Sequence, residues 1–176
     1  MGTHSFFQTK LFVLLVLIFG FYSNAKAYSF EVDGFSFSSN DETTVSVQGI
    51  SQYHLYINSG NVIIPSVVAF ENQNYVVTGI GSDAFSRSSE LKSVTIPNTI
   101  TSIGEHAFYM CANLHDISIP NSVKTIGAYA FLECSNLNSI SFSDSISYIG
   151  RQAFTNTAWF NNQPDGLVYV GLVAYY

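Results

Sequence analysis

The sequence predicts a repeat solenoid, a coil in which short parallel strands stack rung upon rung. First, Ile80, Ile103, Ile126 and Ile149 stand 23 residues apart, and so do Phe85, Phe108, Phe131 and Phe154. A period in the twenties is the mark of stacked structural units. Second, each period holds a run such as Ile117-Ser118-Ile119, alternating apolar with polar as a strand with one buried face does. Third, Gly81, Gly104, Gly127 and Gly150 keep the same spacing, as do Ala84, Ala107, Ala130 and Ala153, and Leu91, Leu114, Leu137 and Phe160. No single unit buries such an apolar set, so stacking must bury it.

The chain opens with Lys10, an apolar run from Leu11 to Tyr22 and the small-residue triplet Ala25-Lys26-Ala27. This pattern predicts a secretory signal peptide over residues 1–27, cleaved after Ala27. The run of twelve falls short of the roughly 20 residues a membrane-crossing helix needs. A secreted or surface-displayed product follows, with no membrane insertion of the mature chain. What remains carries four basic residues, Arg87, Lys92, Lys124 and Arg151, and all twelve acidic ones, a formal charge of about −8. That balance, without a basic run, excludes nucleic acid and an anionic membrane as partners.

Residues 28–61 alternate apolar positions around Asp33-Gly34, a strong hairpin signal. They are expected to form a β-rich cap over the first rung, because a solenoid end must not expose its core. Residues 62–176 hold about four units. The first is lengthened by a hairpin around Glu71 to Asn74, and its Ile64-Pro65 matches Ile96-Pro97. In a full unit, Ile103, Ala107, Phe108, Cys111 and Leu114 lie at offsets 0, 4, 5, 8 and 11, which predicts a short helical or 3₁₀ corner. The strand of Ile117 and Ile119 comes next, and Pro120-Asn121 turns the chain. Rungs are expected about 4.8 Å apart, with Ile on Ile and Phe on Phe.

The stretch "SVTIPNTITSIGEHAFYMCANLHDISIPNSVKTIGAYAFLECSNL" resembles the BspA-type leucine-rich repeat of bacterial surface proteins, whose unit reads I-P-x-S-V-x-x-I-G-x-x-A-F-x-x-C-x-x-L. The likeness extends over about residues 62–176. It implies a curved, right-handed, leucine-rich-repeat-like coil, displayed or secreted, that adheres to host proteins, cells or other microbes. It implies no catalytic residues. The last unit departs from the pattern, with Thr157 in place of Cys and Ser143-Asp144 in place of Pro-Asn. A C-terminal hairpin follows, either a cap or an apolar edge at residues 167–176 that pairs with another subunit.

Residues that carry chemistry form no constellation. Cys111 and Cys134 occupy equivalent positions in adjacent units, where buried free thiols are expected and a disulfide is the alternative. His106, Cys111 and His115 diverge on the expected fold and show no metal-ligand spacing, so no metal is expected. His115-Asp116 has no nucleophile placed with it, and "GIGSDAF" lacks the third glycine of a dinucleotide loop. No cofactor and no enzymatic activity are expected. The surface remains: Lys92, Thr95, His115, Asp116, Ser118, Asn138 and Ser141 on the strand face are the expected contact patch for an extracellular protein or glycan. Tyr109, Met110 and Leu132, apolar at a corner, form a second candidate for protein contact.

Overall fold

The computed structural model describes residues 28–164, 168–170 and 173–175. The expected leader over residues 1–27 and its cleavage site lie outside them. Asp33-Gly34 turns the chain between β1 (Ser29–Val32) and β2 (Phe35–Ser39), with φ of 50° and 81°. Two consecutive left-handed residues are what a two-residue hairpin loop matched to strand twist requires. β3 (Thr44–Ile50) pairs antiparallel with β2, shifted by an irregularity between Ser36 and Phe37. Phe30, Phe35, Phe37, Val45 and Val47 are buried, so this meander closes one end of the core.

A short helix, α1 (Gln52–Ile57), begins at Ser51, whose hydroxyl accepts the His54 N–H at 3.2 Å. It leads into β4 (Asn61–Ile63). β5 (Val67–Phe70) and β6 (Gln73–Ile80) then form the lengthened hairpin, with Glu71 and Asn72 at φ 47° and 65°.

From β6 onward the chain coils. One sheet runs in the order β1-β2-β3-β6 and continues through β8 (Ser102–Ile103), β10 (Thr125–Ile126) and β12 (Tyr148–Ile149). β5 pairs beside β6. The second sheet stacks β4, β7 (Ser93–Thr95), β9 (Asp116–Ser118) and β11 (Ser139–Ser141). All rung-to-rung pairs are parallel, and the register follows the sequence period: Ile80 faces Ile103, Ile126 faces Ile149, and Ile117 faces Ile140. Between the sheets, Phe85 stacks on Phe108 and Phe108 on Phe131, each with centroids 5.0 Å apart, and Phe131 stacks on Phe154 at 5.4 Å. Ile100, Val123 and Ile146, also 23 residues apart, are buried and fill the opposite side.

The corners are built differently from the helical or 3₁₀ segment expected. They are successions of hydrogen-bonded turns in which alternate N–H groups bond within the rung and to the next one. Ala107 N–H reaches Gly104 O and Tyr109 N–H reaches His106 O, while His106, Phe108 and Met110 donate to the carbonyls of Ala128, Ala130 and Leu132. Two residues per corner adopt positive φ, His106 and Met110 in one rung and Tyr129 and Glu133 in the next. A helix would direct its bonds along its own axis; here half of them join rungs.

At the far end the stack is closed by aromatic edges. Trp159, in α2 (Ala158–Asn161), meets the face of Phe154 at 5.4 Å and Phe142 at 5.3 Å. Thr157 caps this helix, accepting the Phe160 N–H at 3.0 Å and donating to Phe154 O at 2.8 Å. Ser143, in place of the turn proline, accepts the Ser145 N–H at 3.3 Å and so replaces one turn device with another. β13 (Val168–Val170) pairs antiparallel with β14 (Val173–Tyr175), and Val170 is buried in the chain's own core. Among the described residues no helix is long and apolar enough to cross a membrane.

Candidate binding faces of the solenoid

Each strand of the second sheet has its central residue inside, Val94 and Ile117 being buried, and its two end residues outside. Parallel stacking then sets the outer residues in columns. Ser93, Asp116 and Ser139 align in one, and Ser118 and Ser141 align in the next, with Thr95 at the equivalent place in β7. Lys92, His115 and Asn138 extend the face by a third column, tied by the Asn138 N–H to the His115 carbonyl at 3.0 Å. All seven residues expected as a contact patch, Lys92, Thr95, His115, Asp116, Ser118, Asn138 and Ser141, are exposed on this face. Within the patch Ser141 donates to Ser118 at 2.9 Å, and beside it Ser93 donates to Asn61 at 2.8 Å. The remaining donors and acceptors project from a backbone held rigid by the ladder.

The corner face differs in character. Met110 is exposed, whereas Tyr109 and Leu132 are half-buried. Tyr109 lies under the Arg87 guanidinium at 5.8 Å and takes the edge of His106 at 5.4 Å. His106 in turn stacks on Tyr129 at 5.0 Å, with Arg151 over the same ring at 4.9 Å. The sequence reading named Tyr109 but missed this cation–aromatic column. The signal was present, because His106 and Tyr129 are 23 residues apart and therefore stack. Such contacts stabilise a surface by about 0.5–1 kcal/mol each, and they consume ring faces that a ligand would otherwise meet.

The three residues weighed as metal ligands point three ways. His106 stacks in the corner column, Cys111 is buried, and His115 lies on the strand face. Among the described residues no group of three metal-ligating side chains converges. Cys111 and Cys134 are both free and buried. Their thiols donate to carbonyls of the preceding rung, Cys111 to Phe85 O and Cys134 to Phe108 O, both at 3.0 Å. Hydrogen bonding with Cys111, and then burial, push the Cys134 thiol far above the ordinary thiol range.

The rung geometry agrees with comparison to known proteins. The model of the BspA-type leucine-rich repeat region matches residues 65–163 as six copies. The chain belongs to this BspA-type leucine-rich repeat family. A leucine-rich repeat protein from Bacteroides ovatus is 36% identical, with a TM-score of 0.68 over 74% of this chain and 33% of its own. The match thus spans about a third of the length of that protein. A leucine-rich repeat protein from Bacteroides capillosus is 27% identical, with a TM-score of 0.67 over 74% of this chain and 93% of its own. A leucine-rich cell surface protein from Faecalibacterium prausnitzii shares the fold at 24% identity and a TM-score of 0.56, over 78% of this chain and 48% of its own. No curated protein matches the chain. In BspA-type terms, the repeat's Ala, Phe, Cys and Leu positions are buried in the central rungs, and the strand-face columns carry different polar residues from one rung to the next.

Proposed function

We propose that the chain is a non-catalytic extracellular binding module that recognises a protein or glycan through the strand face of its solenoid. The observation that carries this reading is the set of in-register polar columns, Lys92-His115-Asn138 and Thr95-Ser118-Ser141. They are exposed along one face of the sheet. Hydroxyl, amide and imidazole groups repeated at about 4.8 Å along a rigid sheet form an extended recognition surface. Membership in the BspA-type family and the cell-surface description of the Faecalibacterium protein support export and display.

The test is binding of the exported chain to arrayed extracellular matrix proteins, mucins and glycans, beside a variant carrying Lys92→Ala, His115→Ala and Asp116→Ala. These positions are exposed, so the variant should melt within about 0.5 kcal/mol of the parent. Binding lost in the variant is the expected result. Binding that survives the triple substitution would remove the strand face from the proposal.

A further inference from the structure

The two sheets end differently at the N-terminal end of the solenoid. The larger sheet continues past the first rung into β3, β2 and β1, whereas the second stops at β4, whose outer side pairs with no strand among the described residues. The Ile64 N–H donates to the Thr95 carbonyl at 3.1 Å, towards the rest of the sheet. Backbone groups of successive strand residues point to opposite sides, so the Ile63 N–H and C=O and the Asn61 C=O face the open side. The Asn61 N–H is already given to Asn58 O at 2.9 Å. Edge strands are ordinarily shielded by charge, a bulge, proline or a covering element. Asn61-Val62-Ile63 has no charge, and Ile63 is 73% exposed with Val67 beside it at 47%.

Against this edge lies a groove of about 630 Å³. Ile63, Val67 and Val68 line it from β4 and β5, and Phe35, Phe37 and His54 line it from the cap hairpin and α1. We propose that the groove takes an extended, uncharged peptide segment that adds to β4 as one more strand. The peptide would accept from the Ile63 N–H and donate to the Asn61 and Ile63 carbonyls. Its alternate side chains would be apolar, to rest against the exposed Ile63 and Val67. Main-chain bonding supplies affinity in this mode, and the pockets for alternate side chains supply selectivity. A single chain fits better than a second copy of the protein. A three-residue edge walled by the cap offers far less than the roughly 1,200 Å² that a stable interface between folded bodies buries.

This site is separate from the strand face, and its failure would leave the strand-face reading standing. The probe is a blocked, fluorescently tagged hexapeptide of alternating threonine and valine, titrated against the exported chain by anisotropy and by amide hydrogen exchange. Ile63→Pro removes the N–H on the open side together with the exposed Ile63 side chain, at an edge that tolerates proline; Ala69→Trp, at an exposed position lining the groove, fills it and leaves that N–H in place. We expect binding to the parent with slowed exchange at Ile63, a loss of about tenfold or more in either variant, and no change in the strand-face triple variant. No binding at millimolar peptide overturns the proposal, as does equal binding to parent and both variants. A peptide-free dimer that Ile63→Pro dissociates overturns it in favour of a second copy as the occupant.

Discussion

The thiol of Cys134 donates to the carbonyl of Phe108, one rung earlier and 3.0 Å away, and Cys111 makes the same bond to Phe85. A disulfide between them would break both bonds. Both thiols should therefore resist iodoacetamide in the native chain at pH 8 and react in denaturant, a difference mass spectrometry reads directly. The raised Cys134 pKa also fixes a sign. Above about 8.5, the unfolded chain releases the Cys134 thiol proton that the folded chain retains, so this contribution to stability is intact below that pH and falls as pH climbs beyond it. Replacing Cys134 with Ala should flatten this alkaline decline.

Phe108 and Phe131 lie in the middle of the ring stack, fully buried with planes 6° apart. Truncating either to Ala should cost about 3–5 kcal/mol in denaturant unfolding. A loss below about 1 kcal/mol would show that neighbouring rungs collapse into the space.

Gly127 is required by proximity rather than by φ. A Cβ there would sit 2.5 Å from Glu105 N and 2.6 Å from Gly104 C, both backbone atoms of the preceding rung. At Gly49 the nearest atom is the Ser36 hydroxyl at 3.0 Å, which can rotate away. Gly127→Ala should thus destabilise by about 1–3 kcal/mol or more, with Gly49→Ala well below it; equal melting temperatures for the two would contradict the close approach.

Met110 holds φ at 57° while 42% exposed. A left-handed backbone costs an ordinary residue roughly 1–2 kcal/mol, whereas glycine carries a larger entropy loss on ordering. Met110→Gly should leave stability unchanged or raise it by up to about 1 kcal/mol, while Met110→Val should lower it. Thermal melts of the two variants decide the matter.

The Asp41 carboxylate accepts from the Thr43 and Thr44 backbone N–H groups, both at 2.8 Å, and from both threonine hydroxyls. The backbone bond from Thr43 leads in lowering its pKa to about 2. The contribution is present above the unfolded value of about 3.9 and is lost as pH falls towards 2. An NMR titration of the Asp41 carboxyl should show a midpoint near 2; one near 4 would mean that the loop is open in solution.

The period made the rungs legible, because Ile80 to Ile149 and Phe85 to Phe154 must stack once they recur at equal spacing. The hairpins at Asp33-Gly34 and after Phe70 were legible through local turn chemistry and alternation. The corners were not. Offsets of 4, 5, 8 and 11 satisfy a helix as readily as a chain of turns, and the left-handed positions carry His106, Met110, Tyr129 and Glu133 rather than glycine. Their conformation is imposed by bonds to the next rung, a non-local cause with no signature inside one unit. The groove beside β4 escaped for a similar reason, since an unpaired edge is a property of the whole sheet order.

Between the cap at Phe30–Phe37 and the closing Trp159 stand rungs that share one 23-residue period. The separation of the two ends is consequently set in whole steps of about 4.8 Å. Gain or loss of a 23-residue unit between Gly104 and Gly127 would lengthen or shorten the molecule like a ruler with a fixed graduation, altering its span and the number of strand-face contacts while leaving both ends as they are.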